Sequence, residues 1–197
     1  AAHSRLLRLR ARLAWCDADW EGALACARGA LELARSAQDH DAEALAAYRR
    51  AEAIAPDSAD VRTYLALHLA RGKDWPQAAP MLERIVAETP NKVPVLEALA
   101  LVRERQGRLE DAIALRQKLY SLRAPSAPEL LAMGGLAMQT GNTALAIESF
   151  EKARAVQGSA FRNDLELGVL FLGAGRLNEA REALDRVPAS HPGHAMA

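Results

Sequence analysis

Apolar and small residues recur along this chain in columns 34 positions apart. Ala44, Ala78, Ala112, Ala146 and Ala180 form one column, and thirteen residues before each stands a large apolar side chain: Leu31, Leu65, Leu99, Met133 and Leu167. Beside these come Glu32, Ala66, Ala100, Gly134 and Gly168, small in every copy but the first. Four residues after each alanine stand Tyr48, Leu82, Arg116, Phe150 and Leu184, and three further on Ala51, Ile85, Leu119, Ala153 and Val187. Pro56, Pro90 and Pro192 close three copies, with Ala124 and Gly158 at the matching place in the other two. Gly107, Gly141 and Gly175 keep the same spacing between the apolar clusters, and Gly72 comes one place early. A fixed period of this length means that one supersecondary unit is stacked several times.

Each unit reads as two helices. Ala146, Phe150 and Ala153 fall at i, i+4 and i+7, one face of a 3.6-residue helix, and Leu130, Met133, Gly134 and Ala137 do the same in the preceding segment. Glycine between the segments supplies the positive φ that ends the first helix, and proline after the second stops it. Small residues at facing positions let two helix axes approach closely, while Leu, Met or Phe fill the remaining gaps. The pattern predicts helices over 20–37, 41–55, 59–71, 75–88, 93–106, 109–122, 127–140, 143–156, 161–174 and 177–187. An extra amphipathic helix is expected over 4–17, with Arg5, Arg8 and Arg12 in one stripe. Such a stripe is either a solvated face or an anionic-membrane contact. One pair cannot bury its apolar face alone, so neighbours must stack.

These columns resemble the tetratricopeptide repeat family, whose 34-residue helix–turn–helix carries large, small, glycine, alanine, aromatic, alanine and proline positions in this order. The segment from Gly141 to Ala153, Gly-Asn-Thr-Ala-Leu-Ala-Ile-Glu-Ser-Phe-Glu-Lys-Ala, carries the resemblance best. Glu32 and Arg35 depart from it in the first copy. The competing pentatricopeptide RNA readers prefer a 35-residue period and a basic face. The resemblance implies an all-α, right-handed superhelical solenoid of antiparallel helix pairs. Its repeats are 25–58, 59–92, 93–126, 127–160 and 161–194 within one domain, 1–197. The last seven residues start where another repeat would begin, so the chain is expected to be a piece of a longer protein.

Composition narrows the function. Lys+Arg and Asp+Glu both number 25, which removes any global electrostatic case for nucleic acid. No stretch approaches the roughly 18 apolar residues of a membrane span. Nothing at the start resembles a secretory leader, and a removed leader would leave no trace, so cytoplasm and periplasm both stay open. Cys16 and Cys26 suggest buried thiols rather than a disulfide framework. Nucleotide-binding and hydrolase signatures are absent, and no cofactor is expected. His191 and His194 flank Pro192 and Gly193, which prevents helical presentation of a metal pair, and no third ligand is apparent. His68 sits mid-helix among leucines and reads as a packed or surface residue.

The chemistry that remains is recognition. The family's first helices line a concave face, which here implies a partner groove of Leu67, Leu101, Glu104, Leu131, Gly135, Met138, Leu165, Val169 and Leu172. It is charged early and apolar late, rimmed by Arg71, Arg105 and Arg162. It also lacks the Lys and Asn set with which chaperone-binding members clamp a C-terminal carboxylate. An apolar strip suits an amphipathic helix, an apolar peptide, or the protein's own downstream helices. Arg103 and Arg116 replace the usual aromatic residues of the 93–126 unit and form a candidate anion contact. Alternatively, their stems pack and their heads reach solvent or acids such as Glu110 and Asp111. The expected function is a non-catalytic interaction scaffold for an unidentified protein or peptide. The rivals are the repeat arm of a larger enzyme or of a secretion or envelope assembly machine, and self-association through an uncapped end.

Overall fold

The computed structural model describes residues 41–54 and 56–187. The expected helices over 4–17 and 20–37, Cys16, Cys26, and the His191 and His194 pair lie outside the described residues. The helices are α1 (Asp41–Ile54), α2 (Ala59–Arg71), α3 (Trp75–Glu88), α4 (Val93–Arg105), α5 (Leu109–Leu122), α6 (Ala127–Gln139), α7 (Thr143–Gln157), α8 (Asp164–Gly173) and α9 (Leu177–Leu184). No strand occurs among the described residues. They fall into two compact units, one ending at Arg108 and the other beginning at Leu109.

In the first unit α2 packs on α1, α3 and α4, and α3 packs on α4. The buried core runs through Tyr48, Val61, Leu65, Leu82, Leu96 and Val102. His68 is buried here with its ring 5.4 Å from that of Tyr48, a packed histidine. In the second unit α6 pairs with α7 and α8 with α9. Its core joins Leu130, Ile147, Phe150, Phe161, Leu167 and Phe171 in one cluster. The small-residue column is what allows these pairs to close. A Cβ placed on Gly134 would lie 2.9 Å from the Phe150 ring, and one on Gly168 would lie 2.6 Å from Leu184 Cδ2. In both hairpins the glycine and its large partner are sixteen residues apart. Ala66 and Leu82 hold the same two columns in the first unit, and both are buried.

The hairpin turns repeat atom for atom. The N–H groups of Lys73, Gly107, Gly141 and Gly175 donate to the carbonyls of Ala70, Glu104, Met138 and Leu172. The following N–H groups, of Asp74, Arg108, Asn142 and Arg176, reach back to Leu69, Arg103, Ala137 and Phe171. This is a helix C-terminus closed by a left-handed residue. The three glycines have φ of 72° to 75°. Between α2 and α3, however, the positive φ belongs to Lys73, at 64°, and not to the neighbouring Gly72, at −71°. The turn geometry holds its register and the glycine is one place out of step.

Two helix boundaries depart from the sequence pattern. The helix expected over 161–174 begins only at Asp164, because Gly158 takes φ 54° and a short 3-10 turn follows, Gly158–Ala160. Phe161 then runs extended with its ring buried in the core cluster. The helix expected over 177–187 ends at Leu184, although Val187 beyond it is still buried.

Two measurements test these close fits. Lys73→Gly should raise the unfolding free energy by about 1 kcal/mol, since a left-handed backbone strains a residue that carries Cβ. Chemical denaturation of the two proteins reads the difference directly. Gly134→Ala should cost about 1–3 kcal/mol by forcing its methyl into the Phe150 ring, and adding Phe150→Leu should recover part of that loss. Simple additivity of the two substitutions would show that the pair does not limit helix approach.

Candidate functional site

The groove columns fall on α2 and α4 in the first unit and on α6 and α8 in the second. Leu67 on α2 is half-buried, Leu101 on α4 is exposed, and Glu104 is half-buried. On α6, Leu131 is half-buried and packs against the core cluster that contains Leu167 and Phe171 of α8. Gly135 stands four residues on, and a Cβ built there would meet nothing within 4 Å. Met138 at the end of α6 is 41% exposed. On α8, Leu165 is half-buried, whereas Val169 and Leu172 are 55% and 49% exposed.

The repeat phase orders these residues. Leu67, Leu101, Gly135 and Val169 occupy one column; Glu104, Met138 and Leu172 occupy another. Reading down the second column, a carboxylate gives way to two large apolar side chains, both open to solvent. Leu131 differs in kind, since its contacts tie it to the core. Arg162 precedes α8 rather than riding on it. Its Nη1 donates to the carbonyls of Ser159 and Phe161 at 2.8 and 3.0 Å.

The two arginines at aromatic positions are engaged within their own units. Arg103 is buried on α4, forms an ion pair with Glu83 of α3, and donates from Nη1 to Gln106 Oε1 at 2.7 Å. Arg116 on α5 is half-buried and hydrogen-bonded to Tyr120. Burial pushes the Tyr120 hydroxyl upward in pKa, with Arg116 opposing the shift. The Tyr120 hydroxyl donates to the carbonyl of Glu129 at 3.0 Å. A 420 Å³ cavity lies beside it, floored by Leu130, Met133 and Leu145, with Lys152 at its rim. The linear pattern does not reveal this cavity, because its walls come from three helices.

A charged clasp at the start of α6 positions Leu131, Gly135 and Met138. Arg123 Nη1 and Nη2 donate to the two carboxylate oxygens of Glu129. The Ser126 N–H and hydroxyl donate to the same carboxylate at 2.8 and 2.7 Å. Arg123 holds the Glu129 carboxyl down at about 2, against the opposing effect of burial and with further help from Ser126. A depressed pKa gives stability that is complete above the ordinary glutamate value and lost as pH falls toward the folded value. Between pH 7 and pH 3 the native protein should therefore lose more stability than Glu129→Gln, by on the order of 1–2 kcal/mol after solvent screening. Parallel acid losses in urea melts of both proteins would mean that the clasp contributes nothing.

Among the described residues no group of three or more His, Cys, Asp or Glu side chains could hold a metal ion, and no helix is long and apolar enough to cross a membrane.

Comparison with known proteins gives the same architecture. No curated protein matches the sequence. Among solved structures, YrrB, described as a TPR protein with an unusual peptide-binding site, superposes with a TM-score of 0.70 at 17% identity, over 88% of this chain and 89% of that one. MamA (AMB-1) superposes at 0.66 and 21% identity, over 79% and 84%. MamA from Desulfovibrio magneticus RS-1 does so at 0.66 and 14%, over 83% and 92%. At such identities the likeness is one of fold. The sequence model described as the tetratricopeptide repeat matches residues 33–93, 65–128 and 131–195. With matches over most of its length, in which the 34-residue columns recur, this chain belongs to the tetratricopeptide repeat family.

Proposed function

We propose that this protein is a non-catalytic scaffold whose second unit holds an apolar segment, a short peptide or one face of an amphipathic helix, from a partner protein. Repeats of this family serve generally as protein-interaction scaffolds, and the fold is that of the MamA and YrrB structures. The observation that carries the finer reading is the exposure of Met138, Val169 and Leu172. All three sit on first helices; Met138 and Leu172 share one column in repeat phase, and Val169 stands one turn before Leu172 in the column of Gly135. Isolated apolar side chains on a surface need no explanation; a set repeated in phase on successive helices does.

The chemistry of the strip favours a flexible or helical ligand. Methionine adapts its shape to the surface it meets, and Gly135 leaves room between the larger side chains. A helix presents apolar groups at i, i+3, i+4 and i+7, which suits a strip of this kind. Burying it would contribute roughly 25 cal/mol per Å² of apolar area, reduced by the cost of association.

Met138→Glu with Leu172→Glu is the test, because both side chains are exposed and leave the core cluster intact, unlike Leu131. Circular dichroism should be unchanged, while partners captured from native lysate by the parent chain should be lost. Full capture by the folded double variant would reject the strip as the binding face.

A further inference from the structure

The turn that delays α8 borders a second feature, whose lining contains none of Met138, Val169 and Leu172. A cavity of 610 Å³ opens beside it. Its lining brings together Arg154 from the last turn of α7, Arg162 from the turn, and Arg186 from beyond α9. One acid, Asp164, lines it too, leaving a positive excess of two charges. We infer that this cleft is a binding site for side-chain carboxylates of an acidic protein segment.

Its internal charges are incompletely matched. Asp164 Oδ1 is buried and has no hydrogen-bond partner. It lies 3.9 Å from Arg154 Nη1 and 3.9 Å from Arg186 Nη1, so one carboxylate is shared by two guanidiniums without a direct hydrogen bond to either. Arg186 Nη2 also lies 3.6 Å from the exposed Glu182, and Glu166 adds a repulsive charge near Asp164. Burial raises the Asp164 pKa while the two arginines oppose it, as expected of an acid poorly solvated by its partners. Arg162 is fixed by the Ser159 and Phe161 carbonyls, which take its hydrogens without neutralising its charge. Three cations of planar, forked geometry are therefore held around one opening.

The occupant follows from size and charge. The volume is that of a site for several side chains, and Leu165 and Val187 supply apolar wall beside the arginines. A phosphate group would bring up to two negative charges beside Asp164. A carboxylate brings one, and an acidic segment can place successive carboxylates on different arginines. The site gathers around the turn before α8 and shares only Leu165 and the rim residue Arg162 with the expected groove, whereas Met138, Val169 and Leu172 are absent from its lining.

The probe is acetyl-Glu-Leu-Glu-Leu-Glu-amide, titrated into the full chain at low salt. The readout is the side-chain Nε–Hε resonances of Arg154, Arg162 and Arg186. Saturable shifts of these three signals are expected, with none from the glutamine counterpart. Arg154→Gln with Arg186→Gln should weaken binding at least about tenfold at unchanged helicity. If that variant loses helicity, Arg154→Lys with Arg186→Lys keeps both charges and should weaken binding about threefold or more through loss of the forked geometry. Met138→Glu with Leu172→Glu should leave this titration unaltered, which separates the cleft from the strip. A flat titration, equal binding of the glutamine peptide, or parent affinity in the folded arginine variants would overturn the inference. Saturation of the three arginines by inorganic phosphate but not by the peptide would overturn it too, in favour of a small-anion site.

Discussion

In the second unit, the approach of two helices at a position without a side chain is the constraint on which both hairpins rest. At Gly134 the Phe150 ring occupies the space that a Cβ would need, and at Gly168 Leu184 does the same. Two helices brought so close lose their freedom to rotate about their own axes, because the ring fits only over the missing side chain. That fixed rotation decides which residues of the first helix face inward. Leu130 and Met133 become core, Leu131 and Gly135 lie at the margin, and Met138 is left in solvent. The exposure of the candidate groove is thus set by a contact one helical turn away, since Gly134 stands three residues after Leu131 and four before Met138. The turn must agree with it, since an added residue between α6 and α7 would carry Phe150 off its glycine.

Much of this was legible in the sequence because the determinants are local and periodic. Helices α2, α3 and α5 begin and end where the columns place them. The matched spacing of Gly134 with Phe150 and Gly168 with Leu184 marks the seam before any coordinate is known. What escaped the pattern depends on contacts across helices or on competition between adjacent residues. Lys73 takes the strained backbone because the two turn hydrogen bonds fix which residue must be left-handed, and composition alone points to Gly72. The late start of α8 follows from the burial of Phe161, a gain that periodicity does not weigh. Glu83 as the partner of Arg103 follows from the packing of α3 on α4. The candidate site is legible in the same uneven way: the columns put Met138, Val169 and Leu172 on first helices, whereas their exposure, the core attachment of Leu131 and the arginine-lined cleft come only from packing.

Ion pairs in the described residues are of two kinds: some join different elements, such as Arg62 with Glu88 and Arg176 with Glu151, and others lie within one turn of the chain. Arg84 pairs with Glu88, Lys152 with Glu148 and Arg176 with Glu179, each within one turn of its own helix. Such exposed pairs contribute little stability individually. Arg176 also lies 4.5 Å from the Phe171 ring, covering an aromatic face at the hairpin tip.

The hairpin turns carry a consequence for how such a chain can change its length. Their hydrogen bonds reach back only three to five residues, and each stays at the helix end that it closes. The residue after the left-handed position is free to be Asp74, Arg108, Asn142 or Arg176, because the backbone alone closes the turn. Each pair thus arrives with its own bend already secured. Duplicating or deleting a whole 34-residue segment leaves every surviving turn with its full set of bonds, and only the packed faces between pairs must be matched again. An insertion of one or two residues has no such protection, because it separates a turn from the glycine seam that it serves. Lineages built on this turn are free to lengthen by whole modules and constrained within each one.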